Sequence, residues 1–585
     1  MTRLRAFTLI VGLTATGGCA AERGRTIDLV HRDRDPGEWV HQGSDYALTR
    51  YSVLAQITTQ NVAQLHPAWT YSTGRLRGHE GTPLVVGSTM FIVTPLPDEA
   101  VALDLSKQGA VKWKHVPEVN PWAEGIACCD VVNRGWAYAD GKLIYNVLDG
   151  HTIALDANDG HELWRTRVAD VNIGETTTMA PVIVKDEVIV GNSGGEMGAR
   201  GWIAALSLDD GRLRWRAYTT GPDSDVKITA ATHPYYPKDR GKDLGLTSWP
   251  NEAWKHGGAT VWGWISYDPE LNLIYHGTSN PGPWNADQRP GDNKWSSSVF
   301  ARNPETGEVK WVYQFTPHDL WDYDGVNENI LADIPINGQP RKVLMHFDRN
   351  GYGYTIDRAT GEVLVANPFV PVNWATGFDA KAGVPTRDPA KETHEGKTTS
   401  DICPSTTGGK DEEPSAFSPR TGFVYVPAVN VCMDYTARSV QYIAGTPYVG
   451  ANYPPRKDSP GGYKGALVAW DPKVGRQVWA VPDTTYPLYS GVLATGGDLV
   501  FYGTLDGTLR ALDARNGKVL WEAQLGSGII GGPMTYVGPD GKQYIAVLAG
   551  VGGIGGVFAK SPNAPPTGGT LWVFAGGPRT GGGEQ

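Results

Sequence analysis

The chain has 585 residues, with 52 Lys and Arg against 62 Asp and Glu, a formal charge of −10. That acidic balance argues against nucleic acid as a main partner, and 40% hydrophobic residues with 21 Trp exclude disorder. Gly, at 74 residues, is nearly twice its usual share of ~7%, so the chain turns often.

The first predicted element is an export signal over 1–21. Arg3 and Arg5 precede an apolar run over 6–18 and then small residues, a run too short to span a membrane. It predicts a periplasmic protein. Cys19 in TGGC adds a weak lipid-anchor signal, because Thr16 replaces the usual aliphatic residue.

A repeat follows. VALDLSKQGAVKWKH, TIALDANDGHELWRT, IAALSLDDGRLRWRA, VFARNPETGEVKWVY, YTIDRATGEVLVA, LVAWDPKVGRQVWA and LRALDARNGKVLWEA share one plan. An apolar strand ends near an Asp or Asn, a Gly closes a tight turn, and a second strand follows, usually with a Trp. The turn glycines are Gly109, Gly160, Gly211, Gly307, Gly361, Gly475 and Gly517. Such a unit cannot bury both faces alone, and radial stacking of four-stranded blades solves this. Seven copies and a partial one at PAWTYSTG, near Trp69, predict an all-β, eight-bladed β-propeller over 37–577. Trp113, Trp164, Trp215, Trp311, Trp479 and Trp521 are expected between blades. The two long gaps in the repeat hold insertions or a degenerate blade. Segments 218–256, 367–415 and 433–465, rich in Pro, Gly, Asp and aromatics, are expected to build or cover a site. Residues 578–585 read as a flexible tail.

Apart from Cys19, the cysteines are Cys128, Cys129, Cys403 and Cys432, an even set for an oxidising compartment. Cys403 and Cys432 flank a strand pair and can bridge, which leaves the adjacent Cys128 and Cys129 for each other. Free buried thiols or separate bridges are the alternatives. No C-x-x-C-H occurs, so the chain attaches no c-type haem.

The ordered motifs GHEGTPLVV, CCDVVNRG, GNSGGEMGARG, TVWGW, TSNPGPWN, RPGDNKW, TPHDLWDYDG, DRNGYGYTIDR, ICPSTTGGKD and GPMTY closely resemble the pyrroloquinoline quinone (PQQ) alcohol dehydrogenases. The resemblance runs through nearly all of the chain and implies the eight-bladed fold, with a vicinal disulfide, Cys128–Cys129, over the quinone plane. PQQ is a flat tricarboxylate that wants cations, donors and a ring. The resemblance assigns it Arg134, Glu80, Thr178, Ser193, Gly194, Gly195, Thr260, Trp262, Arg349 and Asp411. It assigns the metal to Glu196, Asn280 and Asp322, hard oxygen donors that suit a Ca²⁺-like ion rather than zinc.

Asp324, two residues after Asp322, distinguishes lanthanide-dependent members, and three protein carboxylates suit a trivalent ion better than Ca²⁺, the alternative. The implied activity is oxidation of a small primary alcohol to an aldehyde. The metal acts as Lewis acid, Asp322 as general base, and Arg349 stabilises charge on the quinone oxygens. A soluble cytochrome c takes the electrons, and a homodimer is left open. Tyr489 and Ile554 replace aromatic residues common in relatives, which predicts room for alcohols larger than methanol. The rival readings are a quinoprotein for an aldehyde, polyol or sugar, and a non-catalytic exported propeller scaffold.

Overall fold

The computed structural model of the protein describes residues 28–31, 36–553 and 567–576. The export signal with Cys19, Ile554 and the tail over 578–585 lie outside the described residues.

Eight antiparallel blades follow one another in the chain, over residues 84–115, 136–167, 182–218, 265–314, 329–368, 416–483, 492–524 and 534–575. The last has only three strands of its own. Its fourth comes from the N-terminal part of the chain, where His66–Ser72 pairs antiparallel with Thr570–Ala575. This closes the ring and removes a sheet edge. Tyr51–Ser52 adds a fifth, parallel strand to the seventh blade.

Several second strands, Thr89–Val93, Glu187–Gly191 and Leu499–Gly503 among them, are buried along their whole length. Blades pack on both faces, so an alternating pattern survives only at the rim, as in Leu213–Tyr218.

Five of the six repeat Trp sit on the turn glycine of the next blade, and the sixth, Trp521, packs on Phe574 and donates to the Leu65 carbonyl of the closing blade. A Cβ at Gly160 would meet the Trp113 ring, and the same holds for Gly211 with Trp164, Gly307 with Trp215, Gly361 with Trp311 and Gly517 with Trp479. Trp69 on Gly109 closes the circle. The indole N–H then donates to a backbone carbonyl of the neighbouring blade, as from Trp113 to Ala157 at 3.1 Å and from Trp215 to Pro304 at 2.9 Å. These glycines have φ near +70 to +80°, so both the backbone and the indole exclude a side chain. The fifth blade lacks the Trp, and Val365 with Asn367 covers Gly475 instead. The long gaps in the repeat are therefore insertions: 219–264 precedes the fourth blade, 369–415 precedes the sixth, and 430–464 lies inside it.

Strand parity decides where the site forms. In a four-stranded antiparallel blade, the connection between strands two and three and the connection to the next blade leave at the same end. The glycine–tryptophan turns, between strands three and four, occupy the other end. Among the described residues, no helix is long and apolar enough to cross a membrane.

Candidate functional site

Every candidate site residue lies on one of those two classes of connection. Glu80, Cys128, Cys129, Arg134, Thr178, Thr260, Trp262, Asp322, Asp324 and Asp411 lie between blades. Ser193, Gly194, Gly195, Glu196, Asn280 and Arg349 lie between second and third strands. They gather around a cavity of about 500 Å³, within the ~300–1,000 Å³ range of small-molecule sites.

Local sequence explains how each side chain reaches the cavity. In Trp321-Asp322-Tyr323-Asp324, alternate residues face opposite ways. The Trp321 and Tyr323 rings stack in the core, 5.5 Å apart, while Asp322 and Asp324 line the cavity. Gly194 has φ +107° and lets the chain swing round so that Glu196 enters the wall. Cys128 and Cys129, which follow the short helix Trp122–Ile126, are bonded to each other and line the same cavity. Cys403 and Cys432 form the second bridge.

Trp262 supplies a ring flanked by two cations. The Arg134 guanidinium lies 4.9 Å and that of Arg349 5.6 Å from its centroid. Arg134 pairs with Glu80 at 2.9 Å and Glu412 at 3.3 Å. It also donates to Thr178 Oγ1 at 2.7 Å, which bonds Ser193 Oγ at 2.9 Å. Arg349 pairs with Asp411 at 2.6 Å and lies 3.4 Å from both Asp322 and Asp324.

Among the described residues, seven acidic ones line the cavity against two arginines. Burial raises the pKa of Glu196. Burial, reinforced by Asp324 and Glu196, pushes Asp322 well above the usual carboxylate range against the pull of Arg349. Burial likewise lifts Asp324 to about 7, and Glu80 and Glu413 well above their ordinary values. Burial works against the Arg349 charge, but Asp411, Asp324 and Asp322 overcome it and hold the guanidinium protonated. Asp322 Oδ1 and Glu413 Oε2 are buried and have no hydrogen-bond partner among the described residues.

This surplus of buried carboxylate, with one orphaned oxygen on Asp322, has the chemistry to suit a hard cation. Among the described residues, the one His/Cys/Asp/Glu trio with ligand atoms within 4.8 Å is Asp401, Cys403 and Cys432, and its cysteines are spent on a disulfide. Glu196, Asp322 and Asp324 are spread wider than that. Oxygen ligands on opposite sides of an ion with bonds of ~2.3–2.6 Å stand about 5 Å apart, so a separation above 4.8 Å does not by itself exclude a shared ion. The Trp262 ring, two guanidiniums and the Thr178 and Ser193 hydroxyls likewise fit a flat polycarboxylate.

Three expected residues do not line the cavity. Thr260 is buried behind it, with Oγ1 2.9 Å from Ser279 Oγ. Gly195 packs against that pair, where a built Cβ would lie 3.5 Å from each hydroxyl. Asn280 meets the acidic trio through its backbone N–H, which donates to Asp324 Oδ1. Tyr489 is also buried outside the wall, in a cluster with Val431 and bonded to Thr407, both of which do line it.

The sequence reading passed over Glu412 and Glu413, whose run DEE directly follows Lys410 and could have drawn notice, and the apolar wall. That wall is Trp284 with Pro447, Val449, Tyr453 and Pro455 from the insertion 430–464. Trp284 and Tyr453 stand 4.8 Å apart, and the insertion is tied down by Tyr448 N–H to the Glu196 carbonyl at 2.6 Å.

The family model for the glucose/ethanol/alcohol dehydrogenase β-propeller domain with PQQ matches residues 39–377 and 469–545. A lanthanide-dependent methanol dehydrogenase of Methylacidiphilum fumariolicum (strain SolV) is 51% identical, over 92% of this chain and 88% of the relative. The methanol dehydrogenase [cytochrome c] subunit 1 of Paracoccus denitrificans is 44% identical, over 92% and 87%. The solved structure of a europium-containing methanol dehydrogenase superposes with a TM-score of 0.91 at 49% identity, covering 94% of this chain and 99% of that one.

Proposed function

The chain belongs to the family of PQQ-dependent glucose/ethanol/alcohol dehydrogenase propellers, and on that premise we propose that it oxidises a primary alcohol to an aldehyde and passes the electrons to a cytochrome c. PQQ and a lanthanide ion are its cofactors, and the periplasm is its place of action. The observation that carries this reading is the convergence of Glu196, Asp322 and Asp324 with Arg349 and Trp262 on a cavity bordered by the Cys128–Cys129 bridge.

When bound, PQQ accepts the two reducing equivalents of the alcohol, and the metal serves as Lewis acid. The rest is work for this chain's own residues. Trp262 offers the stacking face, and Arg134, Thr178 and Ser193 bind carboxylate. Glu196, Asp322 and Asp324 would hold the ion, in their ionised form. Asp322, with two carboxylate oxygens, would then serve the ion with one and accept the alcohol's hydroxyl proton with the other. Trp284, Val449 and Tyr453 hold the alcohol's carbon and exclude water. Arg349 stays charged beside the reacting oxygens.

Metal-stripped protein given PQQ and La³⁺ is expected to oxidise methanol with an artificial electron acceptor, and to do so poorly with Ca²⁺. No turnover with either ion, with PQQ demonstrably bound, overturns the reading.

A further inference from the structure

Asp322 has φ +72°, in the left-handed region that disfavours any side chain. Something must hold it there, and the structure shows what does. The Asp319 carboxylate reaches over the backbone of the next four residues. Its Oδ1 accepts the Trp321 N–H at 3.0 Å and its Oδ2 the Tyr323 N–H at 2.9 Å, one amide on each side of Asp322. Backbone amides converging on one carboxylate hold the arc much as a nest holds an anion.

Asp319 is itself fully buried and anchored. Arg289 donates to its carbonyl at 2.6 Å, and Arg289 is held by the Pro283 carbonyl at 2.6 Å and Asn293 Oδ1 at 2.8 Å. The flanking rings are pinned from the other side. Trp321 Nε1 donates to the Lys391 carbonyl at 2.9 Å, and the Tyr323 hydroxyl to the Pro404 carbonyl at 2.7 Å. The arc 321–323 is thus tied at its amides and at both outer side chains, and the Asp322 carboxylate is left to face the cavity.

We infer that Asp319 is a positioning residue for the oxidation: its carboxylate sets the left-handed turn that aims Asp322 into the cavity, without lining that cavity itself. The inference rests on the reading of Asp322 as proton acceptor and metal ligand. It differs from a turn that merely stabilises the fold, because loss of Asp319 should move Asp322 and not only lower the melting temperature.

The test is Asp319→Asn, which keeps one acceptor oxygen and turns an amide N–H₂ against the second backbone N–H. With PQQ and La³⁺ bound, kcat is expected to fall about 10²-fold, the scale of a misplacement of about 1 Å, while KM for the alcohol stays within about threefold. The second readout needs no turnover. In protein without PQQ, the excitation line of bound Eu³⁺ is expected to shift or broaden, because one of its carboxylates is displaced. If Asp319→Asn does not fold, Arg289→Lys, which loosens the hold on the Asp319 carbonyl and leaves its carboxylate in place, is expected to show the same two changes at smaller size. Whichever variant folds, a lowered Tm with wild-type kcat and a wild-type Eu³⁺ line overturns the inference alone. A wild-type protein that binds PQQ and La³⁺ yet oxidises no alcohol overturns the functional reading, and this inference with it.

Discussion

Asp324→Asn separates charge from shape. Asp324 is buried, its Oδ1 accepts the Asn280 N–H, and its Oδ2 lies 3.4 Å from Arg349. The amide keeps an oxygen for the Asn280 N–H, so the loop should hold, and what disappears is one negative charge beside the ion. A unit charge pair at about 2.4 Å and an effective dielectric constant of about 20 is worth about 7 kcal/mol. The carboxylate therefore favours a trivalent over a divalent ion by about that much before solvent and neighbouring groups relax. If only a fifth survives relaxation, the La³⁺ to Ca²⁺ affinity ratio still falls about tenfold. Competition of Ca²⁺ against Tb³⁺, read by Tb³⁺ luminescence in protein without PQQ, measures that ratio directly. An unchanged ratio in folded Asp324→Asn would show that Asp324 serves the turn and not the choice of ion. Asp324→Ala should also cost about 1–3 kcal/mol of stability, because it leaves the buried Asn280 N–H without its acceptor.

Asp322→Asn should fold and bind PQQ but lose about 10²–10⁴ in kcat, the scale of a general base, and near-normal turnover would place the base elsewhere. The two disulfides should separate cleanly. Cys403→Ser/Cys432→Ser opens a bridge across 29 positions of sequence and should cost about 3–4 kcal/mol, visible as a lower Tm. Cys128→Ser/Cys129→Ser, which closes almost no loop, should leave Tm nearly unchanged and reduce turnover, and wild-type turnover would deny the bridge a role. In the metal-free protein Asp324 is raised to about 7, so below that pH an incoming ion must displace its proton. Asp322 and Glu196 are raised as well, so lanthanide affinity should rise at least tenfold per pH unit from pH 5 to 7, as measured by luminescence titration. A flat profile over that range would show that Asp324 binds no metal.

The blade repeat was legible because it is local. A Gly that must adopt positive φ and a Trp that must be buried lie within a few residues of each other, as in Gly160 and Trp164. The site was legible by resemblance and by residue type: cavity-lining Asp322, Arg349, Trp262 and the cysteine pair all stand in motifs of the sequence. Tertiary structure decided what depends on meetings between distant segments. It put Trp113 on Gly160 of the following blade, and it drew the closing strand of the last blade from His66–Ser72. It made Glu412, which the sequence reading passed over, a buried partner of Arg134 from nearly 280 positions earlier. It withdrew Thr260 and Gly195 behind the wall and left Asn280 to touch the acidic trio through its backbone. The common reason is that burial and ion pairing are properties of a neighbourhood. A sequence specifies which groups can take part, and only the closed ring determines which of them meet, and at what distance from water.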